Sequence, residues 1–536
     1  MQVKPSTRPA LRRCALIGAV CVTLLCTGLP ATAAGDDDRP DLSRFYGQKV
    51  DWGRCVGTEM PTDLQCGKVT VPLDYDRPKA GTLDLAVARY RATGDRHGSV
   101  VLNFGGPGAS GVAELAVGGK DFMELTDGYD VVAFDPRGVG RSSPVSCGDA
   151  WETDESIDDT DEMLRDPQAL LRQLQKEADA CEEHSGPVLP HIGTVNASRD
   201  LDVIRQALGD KKLNYLGFSY GTRLGAVYAA QFPDRVGRLA LDGVDTLTEP
   251  LAEQGVTGAR GQQRALEEFL DWCVEEDIAC PFGHDARTAR EDMLRLVRSL
   301  DEDPVPTDFG QEFTGQDLVG ALGQALYSEE LWPSLERALA SLVEDGDTRR
   351  IEAFAMGGYT LPHRLAGAGR ETTGPETGGD LADEEEIPLD NLAAALMAIN
   401  CADDPDRPTA AEVTRDLGRL RAVYEQASPV FGRYRLTEVL MCYGRPAGTD
   451  FIRDEVKNVD TPKLLLVGTR GDPATPYSWT VETARRLGPS AVVLDNKGGG
   501  HTGYGSSKCV HRKVDDFLLY GTLPANGSSC GAEDRE

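Results

Sequence analysis

"LNYLGFSYGT", residues 213–222, decides how the rest of the chain is read. Its first six residues form a short, almost continuously apolar run, which suits a strand buried on both faces of a sheet. The residues after Ser219, "YGTRLGAVYAAQF", suit a helix. A serine between the two, with Gly217 and Gly221 on either side, is the Gly-x-Ser-x-Gly pattern in the context it requires. The requirement is steric. So sharp a turn leaves no room for neighbouring side chains, and it lifts the hydroxyl clear of the sheet beside the free N–H groups of a helix N-terminus. The five-residue pattern alone is common by chance; its flanks make Ser219 a candidate nucleophile rather than an ordinary turn hydroxyl.

Working outward, "SVVLNF" (99–104), "YDVVAF" (129–134), "GRLALDGV" (237–244), "KLLLVG" (463–468) and "AVVLDN" (491–496) repeat the same grammar. Helical patterns alternate with several of them, notably "SRDLDVIRQALG" (198–209), where Asn196 or Ser198 is placed to cap the start. Such alternation predicts an α/β layer fold with a mostly parallel sheet. Ahead of it, "GKVTVPLDY" and "TLDLAVARYRA" predict an antiparallel pair at a sheet edge.

Between 246 and 455 the strand-like runs give way to amphipathic helical patterns such as "RALEEFLDWCVEED". The Gly-, Thr- and acid-rich stretch 366–386 reads as a mobile loop. The sheet pattern then resumes near 462. The expected organisation is a leader (1–33), a first part of the core (34–245), a helical cap (246–455), and a C-terminal part of the core (456–536). The cap is inserted before the strand that carries the acid.

A serine hydroxyl is a poor nucleophile without a base. Of the seven histidines, His97, His184, His191, His284, His363 and His511 lie in stretches that offer no catalytic placement. His501 lies in "NKGGGHTGYG", just past "AVVLDN", and Asp472 lies in "GTRGDPATP", just past "KLLLVG". The 29 residues between them accommodate one helix and one strand. Alone, Asp472 before Pro473 reads equally well as a turn or capping residue; His501 gives it the catalytic reading. The order Ser219, Asp472, His501 is that of an α/β-hydrolase, and all three follow strand C-terminal ends, where an open α/β sheet places its site. His501 would take the serine proton and hand it to the leaving group, with Asp472 holding the imidazole.

An oxyanion needs two N–H donors. Tyr220 is one, and Gly106, with Gly105 close behind, supplies the other from "FGGPGASG" (104–111). Gly106, Gly108 and Gly111 also fit a dinucleotide-binding fingerprint, with Asp135 ending the next strand. Pro107 removes an amide from the phosphate-facing turn, so no cofactor is expected. "FDPRGVGRS" (134–142) predicts a salt-bridged turn bordering the pocket.

Lys4, Arg8, Arg12 and Arg13 precede an apolar run from Ala15 to Leu29, followed by Ala31-Thr32-Ala33. That is the pattern of a secretory signal cleaved near Ala33. The run is too short to span a bilayer comfortably, so a secreted protein without a membrane anchor is expected. The Arg12-Arg13 pair leaves a twin-arginine route open. The net charge of −31 repels nucleic acid and anionic lipid, and it favours cations, including the free amino end of a peptide.

Three of the thirteen cysteines lie in the leader. The remaining ten, an even set in an oxidising compartment, predict disulfides rather than a metal site. Sequence does not fix connectivity. Pairing neighbours in order closes only modest loops and gives Cys55–Cys66, Cys147–Cys181, Cys273–Cys280, Cys401–Cys442 and Cys509–Cys530.

With these motifs in place, "GGPGASG", "FDPRGVGRS", "GFSYGT", "LDGV", "GDPATP" and "GGGHTGYG" together resemble the secreted tripeptidyl aminopeptidases of the α/β-hydrolase superfamily, relatives of proline iminopeptidase. The resemblance covers most of the chain and implies a Ser-Asp-His triad at Ser219, Asp472 and His501. It also implies release of short pieces, often tripeptides, from free peptide N-termini. The related iminopeptidases have histidine before Gly-Gly-Pro-Gly, where this chain has Asn103-Phe104, and Thr502 stands where the family often has glycine. An exopeptidase must also recognise the substrate ammonium. Asp403, in "AINCADDP" (398–405), resembles a family-typical stretch and is the candidate amine-binding residue, a solvated loop acid being the other reading. A secreted esterase or lipase with the same triad, or a non-catalytic binding protein on a hydrolase fold, are the alternatives.

Overall fold

The computed structural model describes residues 40–57, 60–148, 166–275, 280–308, 310–355 and 381–531. The expected leader and residues 366–380 of the expected mobile loop lie outside these. In chain order the strands are β1 (Gly53–Arg54), β2 (Gln65–Pro72), β3 (Thr82–Tyr90), β4 (Ser99–Asn103), β5 (Asp130–Phe134), β6 (Leu213–Phe218) and β7 (Val236–Asp242). They are followed by β8 (Val305–Pro306), β9 (Glu312–Phe313), β10 (Leu464–Gly471), β11 (Ala491–Gly499) and β12 (Ser528–Cys530). Ten of them form one sheet in the order β1-β2-β3-β5-β4-β6-β7-β10-β11-β12, while β8 and β9 pair separately. The first three strands and the β3–β5 join are antiparallel. From β5 to β12 every pairing is parallel.

The apolar runs are the reason. Every residue of β4 and β5 is buried, because helices cover both faces of a parallel sheet. Side chains alternate between two apolar layers. Val101, Val132, Tyr215, Leu241 and Leu466 enter one, and Val100, Val131, Leu216, Ala240 and Leu465 enter the other. With all the parallel strands running one way, the loops after β4, β6, β10 and β11 leave from the same edge.

The helix expected to start near residue 198 spans Thr194–Ala207 and begins without a side-chain cap from its own segment. Asn196 and Ser198 lie inside it. Its first N–H, that of Thr194, is accepted instead by Asp403 Oδ1 at 2.8 Å, a cap supplied from more than two hundred residues away.

Past β7 the chain builds helices Leu251–Glu275, Ala286–Glu302, Gly315–Ala325, Trp332–Asp345, Asn391–Asp403 and Ala410–Ala427, among others. Phe269, Met293, Leu322, Leu339 and Phe354 pack there into a cluster separate from the sheet layers. Helix Asn391–Asp403 behaves differently: Ala394, Ala395, Ala398 and Ile399 pack into the sheet's own layer. Its small side chains let it lie close over the loop after β4. A Cβ placed on Gly108 would stand 2.9 Å from the Leu392 carbonyl oxygen and 3.1 Å from Ala395 Cβ. From Asp41 onward the described residues form one compact unit.

Five disulfides join Cys55–Cys66, Cys147–Cys181, Cys273–Cys280, Cys401–Cys442 and Cys509–Cys530. Among the described residues no helix is long and apolar enough to cross a membrane.

Candidate active site

Ser219 sits between β6 and helix Tyr220–Gln231 with φ 55° and ψ −126°, a conformation that residues with a side chain rarely adopt. Such strain costs on the order of 1–3 kcal/mol and persists only when the surroundings impose it. They do so here. The Ser219 N–H donates to the Asp242 carbonyl at 2.9 Å, and the Ser219 carbonyl accepts the Thr222 N–H at 2.8 Å. Gly221 is required because a Cβ there would stand 2.7 Å from both the carbonyl and the side-chain oxygen of Asn103. One placed on Gly217 would lie 2.5 Å from the Gly221 carbonyl.

The loop after β4 packs against this turn. A Cβ on Gly105 would be 2.9 Å from Ser219 Cβ and 3.3 Å from the Tyr220 nitrogen. Tyr220 opens its helix, so its N–H has no intrahelical partner. The Gly105 N–H donates to Asn103 Oδ1 at 3.1 Å, whereas the Gly106 N–H has no hydrogen-bond partner among the described residues. Of the two glycines, Gly106 is thus the one whose amide has no partner among the described residues.

The acid and the base meet directly. His501 Nδ1 lies 2.9 Å from Asp472 Oδ1 and 3.0 Å from Oδ2. An ionised carboxylate only accepts, so Nδ1 carries the proton and Nε2 is left as the basic nitrogen. Asp472 is 2% exposed and is held by four further donors: Ala474 N–H (2.8 Å), Thr475 N–H (2.8 Å), Thr475 Oγ1 (2.9 Å) and Thr502 N–H (3.2 Å). Burial by itself depresses the His501 imidazole. Asp472, by charge and hydrogen bond, with Asp242 and Asp245 behind it, outweighs that and holds the group above its ordinary value.

Asp242 escaped the sequence reading although it lies inside the quoted "LDGV". Its buried carboxylate accepts the Gly503 N–H at 3.0 Å and the Tyr504 N–H at 2.7 Å, so it anchors the loop that carries His501. Burial pushes its pKa up to about 6; the two amides offset part of that, and Asp472 adds repulsion. Asp242 pairs in register with Phe218, the residue before Ser219. A Cβ on the next residue, Gly243, would be 3.4 Å from His501 Cε1. Ser219 and His501 therefore both lean on the turn at the end of β7, one through the Asp242 carbonyl and the other against Gly243. Thr475 was missed as well; its hydroxyl lies 3.5 Å from His501 Nδ1 as well as on Asp472.

One expectation is corrected. Asp403 was read as a ligand for a substrate amine, but its carboxylate is buried and used internally. Oδ1 accepts the Thr194 N–H at 2.8 Å and Oδ2 accepts the Thr194 hydroxyl at 2.5 Å. Arg223 Nη1 lies 3.5 Å from Oδ2, while Nη2 pairs with Asp245 at 2.8 Å. Both oxygens already have partners, and Asp403 serves as a helix cap at the junction of core and cap.

The 134–142 turn carries the expected salt bridge, and its partner is a distant acid on helix Thr194–Ala207. Arg137, 1% exposed, forks onto Asp200 at 2.7 and 2.6 Å. Asp135 instead accepts Ser110 Oγ at 2.7 Å and the Val112 N–H at 3.0 Å. A protein carboxylate thus faces the first turn of helix Gly111–Gly118, where a dinucleotide loop would hold phosphate.

A strained serine after one strand, an acid-held histidine after another and a mostly parallel sheet define a hydrolase of the α/β class. Residues 98–275 match the family model described as alpha/beta hydrolase fold, and residues 428–530 match the one described as TAP-like protein. "Serine protease Hip1" of Mycobacterium tuberculosis (strain ATCC 25618 / H37Rv) is 32% identical, over 99% of this chain and 100% of that protein. "Tripeptidyl aminopeptidase" of Streptomyces lividans is 31% identical, over 90% of this chain and 86% of that protein. "Carboxylesterase B" of the same Mycobacterium tuberculosis strain is 30% identical, over 95% of this chain and 96% of that protein. The chain belongs to this α/β-hydrolase family.

Proposed function

We propose that this protein is a secreted serine exopeptidase that releases short peptides, tripeptides in particular, from free N-termini through an acyl-enzyme on Ser219. The observation that carries the reading is the convergence of the strained Ser219 turn and the Asp472-held His501 on the end of β7. In that arrangement Ser219 attacks the scissile carbonyl while His501 Nε2 takes its proton. Tyr220 and Gly106 N–H groups face the developing oxyanion, and His501 returns the proton to the leaving amine; water then repeats the sequence to free the acid. The relatives named serine protease and tripeptidyl aminopeptidase support a peptidase. Helices packed over the strand ends favour a substrate that enters by one end. The disulfides support an oxidising compartment.

The relative named carboxylesterase favours a second reading, ester hydrolysis by the same residues. One panel separates them: unblocked and N-acetylated tripeptide amides beside short-chain aryl esters, with wild type and Ser219→Ala. An exopeptidase cleaves the unblocked amides and rejects the acetylated ones. An esterase ignores both amides, and a binding protein turns over nothing. Mass spectrometry of products from a free-amino peptide ladder counts the residues removed per cut.

A further inference from the structure

The loop carrying His501 is held from the cap side as well as from the sheet. Residues 326–328 form the turn between helix Gly315–Ala325 and the short helix Glu329–Leu331, and this turn and the start of that helix lie on the glycine run before the histidine. The Tyr327 carbonyl accepts the His501 backbone N–H at 2.8 Å. Glu329 Oε1 accepts the Gly499 N–H at 3.1 Å. Gly500, at φ +81°, has no room for a side chain, since a Cβ would stand 2.9 Å from the Tyr327 oxygen. The glycine content of this run marks a loop; the cap turn lying on it requires the glycine at 500.

The Tyr327 side chain does something further. Its ring meets the His501 imidazole edge-on, with centroids 5.0 Å apart and planes at 73°. That contact does not bury it: Tyr327 remains 40% exposed, while Trp332, five residues on, is 6% exposed. A partly exposed aromatic residue beside the base, its phenol pushed up to about 12 by burial, has a position the chemistry makes meaningful. As the acyl C–N bond breaks, Nε2 gives the former serine proton to the departing nitrogen, so the leaving group lies against the imidazole. The acyl part lies instead at Ser219 and the oxyanion amides. Tyr327, in ring contact with the imidazole and partly exposed, is a candidate to meet that leaving group.

We propose that Tyr327 is the wall of the leaving-group subsite, packing on the first residue after the scissile bond and favouring an apolar or aromatic one there. This rests on the peptidase reading above. A partly exposed aromatic residue supplies a large contact area at low entropic cost, as aromatic anchors do at interfaces.

The test uses the whole enzyme and substrates with one fixed free-amino tripeptide followed by Phe, Leu, Gly or Glu. Wild type should prefer Phe and Leu over Gly by about tenfold in kcat/KM, the scale of one apolar contact in a pocket. In Tyr327→Ala the loss should be about tenfold larger for Phe and Leu than for Gly, flattening the preference. Tyr327→Phe, which keeps the ring, should restore it. Deacylation, followed after rapid acylation by an activated ester of the same tripeptide, should run at one rate in wild type and Tyr327→Ala, because the leaving group has already departed. Thermal denaturation verifies that both variants fold.

An equal loss for every leaving group, with deacylation slowed to match, overturns the proposal and reduces the ring to an orienting contact on His501. Should wild type cleave esters and no peptide, the peptidase reading fails separately. The same variants are then compared on aryl and alkyl leaving alcohols, where an equal loss for all overturns the assignment of Tyr327.

Discussion

Asp472 at the end of β10 and Asp403 at the junction of core and cap are both buried acids that accept a backbone N–H and face a basic side chain. Their partners separate them. Asp472 faces an imidazole, a base that titrates near neutrality and is still 12% exposed at its side chain. Asp403 faces Arg223, whose guanidinium stays charged and is itself closed in by Asp245. The first arrangement can pass a proton between two states, and the second can only hold two segments together. Burial and hydrogen bonding do not distinguish an acid suited to proton transfer from a structural one; the acidity of the partner does.

The comparison breaks most readily at the strand-end cluster. Ser219→Ala or His501→Ala should lower kcat by about a million-fold on any substrate the wild type cleaves, as loss of the nucleophile or base does in serine hydrolases. A residual rate within a hundredfold of wild type would remove these residues from the mechanism. Asp472→Asn should cost about ten-thousand-fold, because an amide can settle the wrong imidazole tautomer. Thr475→Val is the milder probe of the same cluster, removing one of several hydrogen bonds to the Asp472 carboxylate.

At the junction the effect should fall on stability. Asp403→Ala leaves Arg223 half-paired and the helix Thr194–Ala207 uncapped, and should cost about 3–5 kcal/mol in denaturant unfolding. In Asp403→Asn the ratio of rates on unblocked and acetylated peptides should stay at the wild-type value. A collapse of that ratio would restore the amine-binding role and erase the contrast with Asp472. Replacing Cys401 and Cys442 together by serine opens a link across 41 residues of sequence and should cost about 2–4 kcal/mol, read from the shift in unfolding midpoint.

The smallest expected effect is a pH shift. His501 is active when neutral, so kcat/KM should fall as pH falls through its pKa, with a midpoint above the ordinary value of about 6.5. Asp472→Asn should move that midpoint down, since burial then acts with less opposition. Stability runs the other way. The His501–Asp472 pairing contributes fully below about pH 6.5 and is lost as pH rises through the raised folded value.

The residues legible in the sequence were those whose chemistry is local. Gly217 and Gly221 are required by a turn within six residues, and Asp472 and His501 each follow an apolar run of strand length. Asp242 was not singled out because its carboxylate works on Gly503 and Tyr504, far along the chain, and a strand-end acid in "LDGV" has no pattern of its own. Asp403 looked like a ligand because its neighbours could be read and its partners could not. A salt bridge in the 134–142 turn could be read from its charges, but its partner, Asp200, could not.

By itself the amino-acid sequence determined the layered α/β architecture and the order of the proposed triad residues, because apolar runs of strand length and the steric demands of one tight turn are set by near neighbours. Only the tertiary structure decided which buried acid faces an imidazole, which caps a helix, and which cap residue lies on His501. Those roles come from side chains hundreds of positions apart meeting at a few ångströms, and no local pattern records that meeting.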